Sequence, residues 1–178
     1  TEAVRRRLAA APRGSYRGLI PVDFAGYATD LEAFRELADE YGLWLLEDSC
    51  HAPGGFFTDR QGQVQRCGNG QFADLAIFSF HPVKHIACGE GGMITTNDPE
   101  LYQKLLVLRT HGITKDPAQL ERQDGGWYYE MHQRGYNYRL TDFQAALGTS
   151  QLQRAASNLA RRRAIAQVYD AAFRDFAP

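Results

Sequence analysis

Short apolar runs alternate with amphipathic segments along most of this chain. Leu43-Trp44-Leu45-Leu46 is a continuous apolar run of strand length, and Leu75-Ala76-Ile77-Phe78 is another, inside a strand expected over Ala73 to Phe80. Such runs, closed by turn residues, predict strands buried on both faces. Gly18 to Phe24 holds a third, Leu19-Ile20-Pro21-Val22, and Pro21 belongs at its end because proline cannot donate to a ladder. Met93-Ile94-Thr95-Thr96 adds a fourth strand after the tight turn Gly89-Glu90-Gly91-Gly92.

Between the strands the period lengthens. Val4 and Leu8 mark the end of a helix over residues 2–10. Leu31, Phe34, Leu37, Ala38 and Tyr41 recur at helical spacing behind Thr29-Asp30-Leu31-Glu32, a capping-box pattern, and Gly42 supplies a left-handed stop. Asp98-Pro99 starts another helix, with Leu101, Leu105 and Leu108 on its buried face. Thr141-Asp142-Phe143-Gln144 is a second capping box, and a helical pattern runs from it to Phe176. Residues 54–71 are glycine-rich and polar, as in a loop or irregular hairpin. Residues 112–138 lack a period and carry many aromatics and glycines, the mark of a long functional loop.

Strands alternating with helices predict an α/β fold with a mostly parallel sheet. Sheets of that kind bind ligands beyond the carboxyl ends of their strands. Asp48 and Ser79 both fall at such ends, and Lys84 follows closely. Three chemically able side chains therefore converge on one edge.

Composition narrows the function. A chain of 178 residues suits one domain with a real core, and a net charge of −1 offers no field for nucleic acid or an anionic membrane. No apolar run approaches the ~20 residues that span a bilayer. The first residues lack an apolar signal-peptide core. Cys50, Cys67 and Cys88 are odd in number and unpaired in spacing, which favours a reducing cytoplasm over a disulfide framework or a zinc knuckle. Arg5-Arg6-Arg7 and Arg161-Arg162-Arg163 read as solvated helix faces.

Two segments carry candidate chemistry, Glu47-Asp48-Ser49-Cys50-His51 and Ser79-Phe80-His81-Pro82-Val83-Lys84. A lysine and a carboxylate near strand ends are what pyridoxal phosphate requires: an amine for the cofactor aldehyde, and an acid partner that keeps the pyridine nitrogen protonated. Each has a plainer reading. Asp48 suits a turn cap equally well, Ser79 an incidental strand-end serine, and Lys84 a surface lysine. A hydrolase triad from Asp48, His51, Ser79 and His81 lacks the Gly-x-Ser-x-Gly elbow. The five histidines do not suggest a metal-ligand set, and no metal site is expected. Cys50 and His51 are neighbours whose side chains diverge on an extended segment. The glycines of residues 89–92 match neither the dinucleotide nor the P-loop spacing.

Further motifs lie around these residues in order: Val22-Asp23-Phe24-Ala25-Gly26, Asp48-Ser49-Cys50-His51-Ala52, Phe78 to Lys84, Gly89 to Asp98, Arg109-Thr110-His111-Gly112, and Gly135 to Asp142. Together the sequence resembles the DegT/DnrJ/StrS sugar aminotransferases. Within that family it is similar to the branch that aminates C4 of a UDP-linked 4-keto-6-deoxy-N-acetyl sugar for pseudaminic acid. The resemblance implies a fold type I (aspartate aminotransferase-like) large domain and pyridoxal 5'-phosphate as cofactor. It also implies L-glutamate as donor, a nucleotide sugar as acceptor, and a homodimer with shared sites. It makes Lys84 the cofactor-bound lysine and proton shuttle, Asp48 the pyridine-nitrogen partner, and Ser79 a phosphate ligand. It places His51 beside the cofactor ring and lets Asn137 reach the phosphate of the neighbouring subunit. Relatives are longer at both ends, so residues 1–178 are expected to be an internal part of the large domain, lacking the N-terminal segment and the small domain. Relatives with histidine at the lysine position are sugar dehydrases; Lys84 favours transamination. A regulatory or scaffold protein that kept the fold without amino transfer is the other alternative.

Overall fold

The computed structural model describes residues 1–176. Among the described residues are five α-helices: α1 (Glu2–Ala9), α2 (Leu31–Tyr41), α3 (Pro99–Leu108), α4 (Asp142–Gln153) and α5 (Ala155–Ala172). The strands are β1 (Gly18–Leu19), β2 (Trp44–Asp48), β3 (Phe56–Thr58), β4 (Val64–Arg66), β5 (Leu75–Ser79), β6 (Gly92–Thr95), β7 (Ile113–Thr114) and β8 (Glu130–Met131). Short 3-10 turns occupy Phe24–Gly26 and Arg174–Phe176.

The main sheet has the order β1-β2-β5-β6. The first three strands are parallel, with Leu19 beside Leu45 and Asp48 beside Ile77. The last, β6, runs antiparallel to β5, so the α/β sheet is mixed and mostly parallel. The first strand is shorter than the run Gly18 to Phe24 suggested. Past Leu19 only Val22 bridges back, to Asp48, because Pro21 interrupts the ladder and the chain then turns at Phe24–Gly26.

Helix α2 packs the core. Leu37 and Ala38 join Leu8, Leu43, Leu45 and Ala73 in one cluster, flanked by Val4, Tyr16, Leu19, Phe34 and Tyr41. Fully burying a leucine such as Leu37 or Leu45 contributes about 2 kcal/mol. At its end Gly42 takes φ 67°, a left-handed conformation that glycine adopts without a Cβ penalty. At its start the cap is Asp30, whose side chain accepts from the Ala33 N–H at 3.0 Å, and not Thr29. Thr29 is drawn away because its N–H and hydroxyl both donate to Asp23, at 2.8 and 3.1 Å.

Three other expectations change on folding. Strand β2 alternates instead of being buried on both faces: Leu45 is fully buried while Trp44 stays 47% exposed. Residues 54–71 form a true antiparallel hairpin, β3 with β4, and a short β7–β8 pair closes the 112–138 segment. The helical pattern from Thr141 breaks at Arg154 into α4 and α5, after the capping box at Thr141 and Gln144 forms as expected.

Candidate active site

Parallel pairing sets the geometry of the sheet edge. Because β2 and β5 run the same way with Asp48 opposite Ile77, Asp48 and Ser79 both emerge at the carboxyl end. The chain leaving β2 turns sharply, and the Asp48 carboxylate takes the Cys50 N–H at 3.1 Å. The turn-cap reading of Asp48 is therefore realised, while its half-buried carboxylate still lines the edge.

The chain leaving β5 forms a closed loop. The Phe80 N–H donates to the Gly91 carbonyl at 2.8 Å and the Cys88 N–H to the Phe80 carbonyl at 3.0 Å. Within it the Lys84 N–H donates to the His81 carbonyl at 2.9 Å, and the His81 N–H to Ser79 Oγ at 3.3 Å. Lys84 is thus fixed on a short turn a few residues past Ser79, half-buried like Ser79 itself. Ser79 accepts through Oγ and keeps its own O–H for a further partner.

Charge effects place these residues in one patch. The Cys50 thiol is pushed up to about 11 by burial and by its hydrogen bond and proximity to Asp48, while the Lys84 charge pulls the other way. His85 is lowered from the ordinary histidine range by burial first, then by the charges of Arg162, His51 and Lys84. His51 completes the patch. Its Nδ1 accepts the Ala25 N–H at 3.3 Å, and its ring packs against Phe24 at 5.4 Å, tilted by 56°. Ala25 adopts φ 56° to present that N–H.

Asn137 lies apart. Its backbone bridges to Thr110, its side chain is exposed, and it shares no hydrogen bond with the other four among the described residues. Beside it, Tyr136 and Tyr138 stack in parallel at 4.9 Å. The 112–138 segment is organised by Glu130, which takes hydrogen bonds from the Glu121 and Arg122 N–H groups, the Tyr128 hydroxyl and His132. A cavity of about 420 Å³, lined by Leu8, Tyr16, Tyr41 and Leu43 among others, lies at the amino end of β2, away from this chemistry.

Sequence reasoning missed a buried polar cluster directly beneath the edge. Asp23, Glu47 and Ser49 are essentially inaccessible, and Asp23, Glu47 and Cys67 bring their donor atoms within 4.8 Å of one another. The available signal was a glutamate directly after the apolar run Leu43-Trp44-Leu45-Leu46.

The donor set at the edge fits pyridoxal phosphate: an amine, a carboxylate, an O–H donor and an imidazole. Comparison with known proteins agrees. Residues 3–178 match the DegT/DnrJ/EryC1/StrS aminotransferase family. The UDP-4-amino-4,6-dideoxy-N-acetyl-beta-L-altrosamine transaminase of Campylobacter jejuni is 39% identical over 152 residues, covering 85% of this chain and 36% of that protein. Helicobacter pylori PseC, an aminotransferase involved in the biosynthesis of pseudoaminic acid, superposes with a TM-score of 0.80 at 32% identity, over 96% of this chain and 42% of that one. The PLP-form of the putative sugar aminotransferase Spr1654 from Streptococcus pneumoniae gives 0.72 at 30% identity, over 95% and 44%. The chain spans about two fifths of the length of the curated relatives it matches.

Proposed function

We infer sugar amino transfer for this chain, which belongs to the DegT/DnrJ/EryC1/StrS aminotransferase family. The proposed reaction moves an amino group from L-glutamate to the keto carbon of a nucleotide-linked 4-keto-6-deoxy sugar, with pyridoxal phosphate as cofactor. The observation that carries this reading is the exit of Asp48 and Ser79 from adjacent parallel strands, with Lys84 on the loop that follows. Similarity to the Campylobacter and Helicobacter proteins favours a pseudaminic acid precursor as the acceptor.

Each residue then has a task. Lys84 provides the amine that binds the cofactor aldehyde, and later moves the proton at the reacting substrate carbon. Asp48 would hold the pyridine nitrogen, Ser79 would hold the phosphate through its O–H, and His51 would flank the ring. When bound, the cofactor supplies an electron sink. Asn137, exposed and without a hydrogen bond to the other four among the described residues, suits a contact with a neighbouring subunit's phosphate, so the working enzyme is proposed to be a homodimer.

Lys84→Ala in the full-length protein tests the assignment. The visible absorbance of lysine-bound pyridoxal phosphate disappears; borohydride-trapped cofactor that persists in the variant refutes it. In the unmodified protein L-glutamate bleaches that band, and an unchanged spectrum counts against glutamate as the donor.

A further inference from the structure

The buried cluster under the sheet edge poses a charge problem. Glu47 is 1% exposed and Asp23 0%, and among the described residues neither forms an ion pair. Two ionised carboxylates this close, without a cation, repel strongly in a medium of low dielectric. Their hydrogen bonds are unequal. Asp23 takes three: the Thr29 N–H and hydroxyl on Oδ1, and the Ser49 hydroxyl on Oδ2 at 2.9 Å. Glu47 takes one, from the Gly68 N–H to Oε2 at 2.9 Å. Its other oxygen, Oε1, is buried with no partner.

We propose that Glu47 is held as the neutral acid, with its proton on Oε1 donated to Asp23, and that this shared proton positions the Val22–Gly26 segment against His51. One added hydrogen bond accounts for the orphaned oxygen, the lack of an ion pair among the described residues and the unequal acceptor counts. The mechanical link is direct. The Asp23 N–H donates to the Asp48 carbonyl at 3.0 Å, and two residues on, the Ala25 N–H donates to His51. An Asp23 carboxylate tied to Glu47 therefore fixes the backbone that orients the imidazole. Glu47 touches none of the reacting groups and is a positioning residue.

The surroundings agree on every side. Facing Glu47 are Asp23 from the segment after β1, Ser49 from the turn after β2, and Cys67 with the Gly68 N–H from the end of β4. The Cys67 thiol is pushed up by burial, then by the charges of Asp23 and Glu47, and stays protonated. Burial raises Glu47 to about 7, against the opposing Gly68 hydrogen bond and the nearby Ser49 hydroxyl, so the proton is lost just above neutrality. The sharing of this proton does not depend on the proposed amino transfer.

The test uses the full-length protein and the conservative Glu47→Gln variant, whose amide donates to Asp23 without titrating. Infrared difference spectra between wild type and variant at mildly acid pH reveal a buried, protonated carboxylic acid in the wild type that fades as the pH rises past about 7. A carboxylate band alone at that pH overturns the proposal. Hydrogen exchange over residues 22–29, at about pH 8, is roughly tenfold better protected in Glu47→Gln than in wild type, because the wild type is then mostly ionised. Equal protection overturns the positioning role. One equivalent of a divalent cation that copurifies with wild type and is lost in the variant also overturns it. If Glu47→Gln fails to fold, titration of the wild-type infrared band alone decides.

Discussion

Glu47→Gln should flatten one specific part of the pH–stability profile. In the folded chain the Glu47 carboxyl holds its proton up to about 7, chiefly because burial disfavours the charge; in the unfolded chain it releases it near 4.5. Between those values the folded state binds more protons, so unfolding becomes easier as pH rises, and above about 7 the effect is complete. At ~1.4 kcal/mol for each tenfold change, the whole window removes about 3 kcal/mol of stability. From about pH 5 to pH 8 the loss is roughly 2 to 3 kcal/mol, since part of the window lies below pH 5. Urea unfolding of the full-length wild type and variant at both ends of that range measures the difference. Wild type should lose about 2 to 3 kcal/mol more than Glu47→Gln, every other titrating group being common to both. Parallel profiles, agreeing within about 0.5 kcal/mol, would mean that Glu47 is already ionised when buried, and the shared-proton argument would fail.

Other consequences are simpler to read. Asp48→Ala should cut turnover by orders of magnitude, because the proposed partner of the pyridine nitrogen is lost; near-normal turnover with tight cofactor retention would count against its role. Asp30→Ala removes the α2 cap and should cost about 1 kcal/mol, seen as a lower urea midpoint at constant slope. Glu130 is held down at about 2 by its hydrogen bonds to His132, the Glu121 N–H, Tyr128 and the Arg122 N–H. The order it gives residues 112–138 is fully present above the ordinary carboxylate range, near 4.5, and is lost as pH falls toward 2. Glu130→Gln should speed limited proteolysis within that segment at neutral pH, and unchanged cleavage would show that the loop is held by other contacts.

Much of the fold and of the candidate site's placement was legible because it obeys rules that act locally or by topology. Gly42 and the Thr141–Gln144 box are decided within one helical turn, and both fold as their sequence patterns indicate. Asp48, Ser79 and Lys84 could be placed on one edge because parallel strands share a carboxyl end, whatever their order. Legibility stopped where a distant partner decides. Thr29 and Asp30 are both competent caps, and the choice fell to Asp23 six residues away. The direction of β6 against β5 leaves no trace in Met93-Ile94-Thr95-Thr96, since the alternation of side chains is the same either way.

The Asp23–Glu47 cluster is the extreme case, and it shows why a buried acid was unreadable yet consequential. Its members come from three stretches of chain that meet only after the sheet and the β3–β4 hairpin have formed: Gly68 lies 21 residues from Glu47, and Ser49 lies 26 from Asp23. By strand alternation Glu47 points away from the face used by Asp48, so one side chain meets the proposed cofactor edge while its neighbour enters the interior. A glutamine at this position satisfies Gly68 and Asp23 equally well and never titrates. A glutamate makes the anchoring of the Phe24–Gly26 turn, and through it the orientation of His51, depend on a proton that leaves near neutrality. The edge that carries the proposed chemistry is then strongest on the acid side of neutrality and loosens above it, through a group that itself contacts neither cofactor nor substrate.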